Sequence, residues 1–209
     1  FGRISPLDIL QRICANTGIQ LSKIGELISS KGAGSQLTES IASFAEELIV
    51  RRELSMNFCY HNQDYDNYTC IPNWARASLM NHLYDKRDNE YSLDRMEYAE
   101  TDDKYWNAAQ IEMIKTGKMH NYMRMYWGKR LLSWCRSPEE SYQIMLYLNN
   151  KYELDGRDPN AYAGVAWCFG KHDRPWAERS IYGNVRYMNA RGLERKFDMT
   201  AYIKKVEQQ

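Results

Sequence analysis

Apolar residues recur at helical spacing along most of the chain, and no segment alternates apolar and polar residues as a β-strand does. Ser, Asp and Pro residues stand where several of these apolar patterns begin, as helix caps and first-turn residues do. The pattern predicts helices from Pro6 to about Cys14, from Leu37 to about Phe58, just after Ser92, from about Tyr105 to Ile114, from Pro138 to about Asn150, from about Ala161 to Phe169, and from about Asp198.

The stretch Gly117–Trp134 has the most unusual pattern, and its spacing predicts a single helix of about five turns. Arg124 lies between Tyr122-Met123 and Met125-Tyr126-Trp127, within an aromatic and thioether surface. A charge there is unfavourable unless a partner neutralises it. Trp127 and Trp134 are two turns apart on one face of this helix. The pattern therefore predicts a buried arginine with a partner elsewhere in the chain.

Three polar segments separate the predicted helices. Ser29–Ser35 is small, polar and linker-like, and His61–Pro72 is rich in Asn, Asp and Tyr. Lys151–Asn160 is a polar turn that carries three acidic residues and Gly156. Because no strand pattern and no internal repeat is visible, we expect an all-α domain that covers residues 1–209.

Composition narrows the class of function only in part. Lys and Arg number 28 against 27 for Asp and Glu, so the charge balance neither favours nor excludes a nucleic-acid partner. The 5 Cys and 4 His residues lack metal-ligand spacing, so no metal site is expected and reduced thiols are predicted. The absence of a signal peptide and of an apolar run near 18 residues predicts a soluble, intracellular protein without a membrane partner.

The aromatic residues, 16 Tyr and 6 Trp, leave two interpretations open. Tryptophans at helical spacing usually belong to a core. A buried pair between Arg124 and Asp155 amid aromatic residues also suits a flat polar heterocycle such as a flavin. No phosphate-binding loop and no Ser-His-Asp order stands out, so hydrolytic chemistry has little support.

Several motifs, in order and over almost the whole chain, resemble the class II cyclobutane pyrimidine dimer photolyases. They are ELIVRREL with NFCY, WNAAQ, GKMHNYMRMYW, YELDGRDPN, and a tail that runs from WAER through RYM to RKFD. The resemblance implies a helical FAD-binding catalytic domain of the photolyase/cryptochrome type. It implies light-driven repair of dimers in ultraviolet-damaged double-stranded DNA, in which excited, reduced FAD passes an electron to the flipped-out dimer. Alternatives are a cryptochrome-like photoreceptor without repair activity and a helical interaction module without a cofactor.

The resemblance also assigns roles around the cofactor. Arg124 and Asp155 would pair beside the flavin ring, and Asn149 would lie near flavin N5. Asn121, Lys118 and Arg52 would be further cofactor contacts. Trp127, Trp106 and Trp134 match a relay that carries electrons from the surface to the flavin, with Tyr91 as an auxiliary redox residue.

On the substrate side, Glu47 would contact the base edge of the dimer and Met125 would pack on it. Trp167 would form an apolar wall, and Arg186 would fill the space that the dimer leaves in the duplex. Arg51 stands where some relatives have a tryptophan as the second wall of the pocket. In place of that wall, Arg51 would stack on a base or contact the FAD phosphate.

The resemblance further predicts that this chain is part of a longer, monomeric protein of the cytoplasm and nucleoid, or of the nucleus in a eukaryote. The family's N-terminal α/β domain, which holds any antenna chromophore, and its phosphate-binding loop would precede Phe1. We therefore expect the chain by itself to bind FAD weakly and to have no antenna.

Overall fold

The computed structural model describes residues 4–30 and 34–208, and the chain divides into two compact units, Phe1–Tyr60 and His61–Gln209. In the first unit, the helices α1, α2, α3 and α4 are Pro6–Thr17, Ile24–Ser29, Gln36–Ala45 and Arg52–His61, the last of which crosses the unit boundary. A 3-10 turn, Leu21–Lys23, precedes α2, and a π-helical segment, Glu46–Arg51, joins α3 to α4.

A small apolar core forms within the first unit. Leu10, Ile24, Ile41 and Ala45 are buried against one another, with Ile13, Leu27 and Leu48 packed around them. Ser5 begins α1 as predicted, because its hydroxyl accepts a hydrogen bond from the Asp8 amide and the Asp8 carboxylate accepts one in return from the Ser5 amide.

In the second unit, the 3-10 turn Tyr68–Cys70 precedes eight helices among the described residues. Helices α5 to α12 are Asn73–Asn81, Leu93–Glu97, Lys104–Thr116, Asn121–Trp134, Pro138–Tyr152, Pro159–Cys168, Ala190–Glu194 and Met199–Glu207. Helix α8 packs against α7, α9 and α10, and α12 packs against α7. Trp106, Trp127, Tyr126, Tyr142 and Leu131 are among the fully buried side chains of this unit. The most unusual stretch of the sequence is therefore its central helix.

The all-α prediction is confirmed for the described residues, but several predicted boundaries were wrong. The central helix begins at Asn121 rather than Gly117, because Gly117 adopts φ 68° and ends α7, and His120 caps α8. The predicted helix from Leu37 to Phe58 is interrupted by the π-helical segment. Helix α9 continues to Tyr152, which shortens the predicted polar turn.

Several short elements of the structure were not predicted from the sequence. Helices α2, α5 and α11 and the two 3-10 turns were not predicted, because none of them is longer than 9 residues and a helical period is hard to recognise over so short a segment. Residues 31–33 of the predicted linker lie outside the described residues, and Ser29 belongs to α2. No helix within 4–30 or 34–208 is long and apolar enough to cross a bilayer.

Candidate cofactor site

Arg124 extends from α8 to two carboxylates in the turn after α9. Its terminal nitrogens donate to both oxygens of Asp155 at 3.0 Å, and its Nε donates to Glu153 Oε1 at 3.1 Å. A second Glu153 oxygen lies 2.6 Å from the Arg124 Nη2 atom. The side chain of Arg124 is 19% exposed. The structure thus brings Arg124 and Asp155 together in a two-point contact, the strong geometry for guanidinium and carboxylate.

Glu153 is the member of this cluster that sequence reasoning missed. Its side chain is 1% exposed, whereas that of Asp155 is 42% exposed. Burial raises the pKa of Glu153 to about 7, against the lowering effect of the Arg124 charge and hydrogen bond. Burial lowers the pKa of Arg124, but the Asp155 hydrogen bond and the Glu153 and Asp155 charges outweigh it, so the net shift is upward. The only sequence signal was the position of Glu153 within the acid-rich turn.

The acid-rich turn is fixed by close backbone contacts. The Leu154 amide donates to the Gly117 carbonyl at 2.9 Å, so the end of α7 holds the middle of the turn. A Cβ atom on Gly117 would lie 2.8 Å from Leu154 Cγ, and one on Gly156 would lie 2.9 Å from two backbone oxygens. A side chain at either position would therefore disturb the acid-rich turn.

Asn149 lies on α9, one turn before Glu153, and its side chain is a candidate contact for a bound group. The residue is 1% exposed, and its Nδ2 donates weakly to Asn150 Oδ1 at 3.4 Å. Its Oδ1 accepts no hydrogen bond from any described residue. Buried polar atoms are nearly always bonded. The oxygen of Asn149 is therefore able to accept a hydrogen bond from a bound polar group. Lys118 and Asn121 are exposed near the start of α8.

The predicted redox residues form a continuous row of rings. Trp127 and Trp106 are stacked, with ring centroids 6.0 Å apart and an interplanar angle of 11°. Trp106 meets Trp134 edge-on at 5.1 Å, and Trp134 meets Tyr91 edge-on at 5.1 Å. Trp106 and Trp127 are fully buried, Trp134 is nearly so, and Tyr91 is partly exposed. The row thus runs from the interior towards the surface, and Trp106 from α7 fills the gap between the two tryptophans of α8.

Two polar residues that sequence reasoning did not single out position these rings. Gln110 Oε1 accepts from the Trp127 indole at 2.9 Å. Asp103 caps α7 through the Tyr105 and Trp106 amides, and its other oxygen accepts from Arg130 Nε at 2.9 Å. Arg130 in turn lies over the Trp134 ring at 4.8 Å. Asp103 therefore connects the beginning of α7 to the middle of α8.

The predicted substrate residues of the second unit lie on different elements. Met125, next to Arg124 on α8, accepts a weak contact from Cys168 Sγ at 3.8 Å. Trp167 on α10 meets His172 at 6.1 Å. Arg186 lies over Trp176 at 5.1 Å, in the irregular segment after α10. The structure describes Met125 and Trp167 as partly buried, and Arg186 likewise.

Glu47, Arg51 and Arg52 belong to the first unit. Glu47 is exposed within the π-helical segment, where Arg51 pairs with Glu46 at 3.2 Å. Arg52 pairs with Glu53 at 2.8 Å. π-helical segments are rare and frequently occur at functional sites. The segment therefore marks the predicted substrate residues as unusual in backbone as well as in sequence.

Comparison with known proteins shows close similarity to one group of enzymes, although no protein-family model matches the chain. A deoxyribodipyrimidine photo-lyase of Methanothermobacter thermautotrophicus is 53% identical over 206 residues, which cover 99% of this chain and 41% of that protein. The enzyme of the same name from Arabidopsis thaliana is 52% identical over 170 residues, and that from Potorous tridactylus is 47% identical over 173 residues. These alignments cover 34% and 32% of the two relatives. The chain thus spans about two fifths or less of the proteins it resembles.

Proposed function

We propose, from the homology of this chain to the photolyase family, that residues 1–209 form the FAD-binding catalytic part of a class II cyclobutane pyrimidine dimer photolyase. The activity is light-driven repair of ultraviolet-damaged double-stranded DNA. The observation that carries the proposal is the partly buried Arg124, which pairs with Glu153 and Asp155. Its helix also carries Trp127, whose ring stacks on Trp106.

The cluster around Arg124 supports a flavin site. Arg124, Asp155 and Asn149 would hold the ring, with Lys118, Asn121 and Arg52 as further contacts. A flavin, when bound and reduced, supplies light-driven one-electron donation to the dimer. The carboxylates keep the guanidinium oriented. Asn149 offers an amide whose oxygen needs a donor, as a protonated ring nitrogen provides.

The indole row supports a route by which the cofactor would be reduced. Neighbouring rings along Trp127, Trp106, Trp134 and Tyr91 are 5.1 to 6.0 Å apart by their centroids. Each step moves one electron inwards from a ring nearer the surface, and an external reductant refills the last ring. Because two of these rings are wholly buried, the path is shielded from water for most of its length.

The proposed DNA contacts are Glu47, Arg51, Met125, Trp167 and Arg186. Glu47 would accept from the base edge of the dimer, and Met125 with Trp167 would form apolar walls. Arg186 would enter the space left in the duplex. We further propose that the protein is monomeric and acts inside the cell, where its DNA substrate lies.

A photolyase and a cryptochrome-like photoreceptor differ in whether dimers disappear. Ultraviolet-irradiated DNA is incubated with the photoreduced protein under blue light and in darkness, and the remaining dimers are counted by chromatography. We expect dimers to fall only under light. Flavin photoreduction with an unchanged dimer content would instead favour the photoreceptor. A colourless protein that binds no added FAD would favour the interaction module.

A further inference from the structure

His82 follows the end of α5, and both of its ring nitrogens contact carboxylates. Nδ1 lies 2.7 Å from Asp85 Oδ2, and Nε2 lies 2.9 Å from Glu178 Oε1. A neutral imidazole has one donor and one acceptor, so it bonds only one carboxylate at a time. The imidazolium form donates to both. The geometry around His82 is therefore that of the protonated ring.

Glu178 belongs to a hairpin that residues 176–184 form. The Trp176 amide donates to the Asn184 carbonyl at 2.8 Å, and Arg179 and Gly183 exchange backbone hydrogen bonds of 2.9 and 2.7 Å. With so few internal bonds, this 176–184 hairpin needs outside contacts to keep one conformation. It bears Trp176, against which Arg186 packs.

The outside contacts come from α5 and the turn after it. Asp85 Oδ2, which meets His82, also accepts from the Ser180 hydroxyl at 2.9 Å and the Ile181 amide at 2.8 Å. Ser78 Oγ accepts from the Asn184 amide at 2.7 Å. The pairing of His82 with Glu178 adds a third point of attachment.

The hairpin is also strained where it meets these contacts. Ile181 has φ 69°, a backbone conformation that β-branched residues rarely adopt. A Cβ atom on Gly183 would lie 2.2 Å from Ser78 Oγ, so the two segments approach closely. A strained backbone persists only while its surroundings hold it. The conformation of the tip therefore depends on Asp85 and His82.

We propose that protonated His82 is a positioning residue for the 176–184 hairpin. The protonated ring donates to both Asp85 and Glu178 and so holds the hairpin that carries Trp176, against which Arg186 packs. When His82 loses its proton, the hairpin is held less firmly and the DNA contact of Arg186 weakens. The effect on DNA binding by Arg186 rests on the proposed function, whereas the attachment of the hairpin by His82 does not. The ligand that controls this contact is therefore the proton on the His82 ring.

The direction of the pH dependence follows from the charges around the ring. Asp85, from the turn after α5, and Glu178, from the hairpin, are the charged groups that face His82. The Asp85 hydrogen bond, and less so that of Glu178, raises the pKa of His82 above its ordinary value, despite partial burial. A raised pKa means that the attachment is complete below the ordinary value and is lost as the pH rises through the folded value.

Amide hydrogen exchange of the purified protein tests the attachment without any cofactor or DNA. We expect the protection factors of the Ile181 and Gly183 amides to fall about tenfold between about pH 6 and pH 9, because one charge-assisted hydrogen bond is lost. In Glu178→Gln, the amide bonds either form of the ring, so the fall should disappear while protection remains. In His82→Gln, protection should be low and independent of pH, whereas removal of another imidazole, His61→Gln, should leave the fall unchanged.

The inference is overturned if protection at Ile181 does not change with pH, or if His82→Gln retains the wild-type pH profile. Affinity for dimer-containing DNA, measured at the same pH values, tests the effect on DNA binding. In the wild type, we expect this affinity to fall as the pH rises and His82 loses its proton. In His82→Gln, that part of the fall should be absent. If Arg186→Gln leaves the affinity unchanged, the proposed DNA contact fails while the attachment stands. If Arg186→Gln weakens binding but His82→Gln does not alter the profile, the positioning role fails and the contact stands.

Discussion

Glu153 is a buried carboxyl group that shares Arg124 with Asp155, and its protonation links the site to pH. Burial raises its pKa from the ordinary 4.5 to about 7, so between these values the folded state holds more protons than the unfolded state. The contribution of Glu153 to the free energy of unfolding must therefore decrease as the pH rises through this window. The decrease is on the order of 3 kcal/mol.

Glu153→Gln, which keeps the shape without the titration, tests this. Urea unfolding at several pH values should show wild-type stability falling relative to the variant between about pH 4.5 and pH 7. A constant difference between the two proteins across that window would contradict the raised pKa.

The charged cluster around Arg124 also shows which residues of the site are predictable from the sequence. An arginine within an aromatic surface needs a partner of opposite charge. The residues alone suggested the acid-rich turn around Asp155, and the resemblance assigned Asp155 as the partner of Arg124. Glu153 was not distinguishable from Asp155 in sequence, since both lie in the same polar turn. Which acid is buried depends on how the turn meets Gly117, a contact between distant parts of the chain.

At the scale of elements, Asp103 joins α7 to α8. Its carboxylate caps two amides of α7 and accepts from Arg130, and its side chain is only 10% exposed. Asp103→Ala should lower the free energy of unfolding on the order of 3 kcal/mol, because Arg130 and the helix amides lose their acceptor. Asp103→Asn keeps the cap and should lose clearly less. Equal losses in urea unfolding would mean that the cap contributes nothing.

The indole row makes a prediction about α7 and α8 together. Trp127→Phe removes the ring that stacks on Trp106, so photoreduction of bound flavin should slow about tenfold or more. Repair by chemically reduced protein should continue, because the dimer does not use this path. Trp74→Phe, outside the row, is the matched control. Photoreduction at the wild-type rate in Trp127→Phe would remove this residue from the relay.

The helices themselves were predictable where caps and apolar spacing agree, as at Ser5, Ser137 and Asp198. The start of α8 was not, because the spacing of apolar residues places Gly117 first in the helix, whereas Gly117 ends the preceding helix. The insertion of Trp106 between Trp127 and Trp134 also required the packing of α7 on α8. The local sequence pattern predicts individual helices, whereas contacts between helices are known only from the three-dimensional structure.

At the scale of the whole molecule, the described residues form two units, and the predicted roles are divided between them. The first contains Glu47, Arg51 and Arg52, and the second contains the Arg124 cluster and the indole row. The photo-lyase relatives are more than twice as long as the aligned segment. The proposed activity therefore depends on a single premise, that the second unit holds a flavin at Arg124.

Flavin content tests that premise most directly. Absorption difference spectra recorded in the presence of excess FAD give the amount of bound flavin per chain in purified wild-type protein, Arg124→Gln and Arg136→Gln, so that weakly bound flavin is also counted. Arg136 is the matched control, because its side chain is 83% exposed and pairs with Glu90 at 3.4 Å, away from the cluster. We expect the wild type and Arg136→Gln to bind flavin under these conditions, and a folded Arg124→Gln to bind none. Equal flavin in all three proteins would contradict a cofactor site at Arg124.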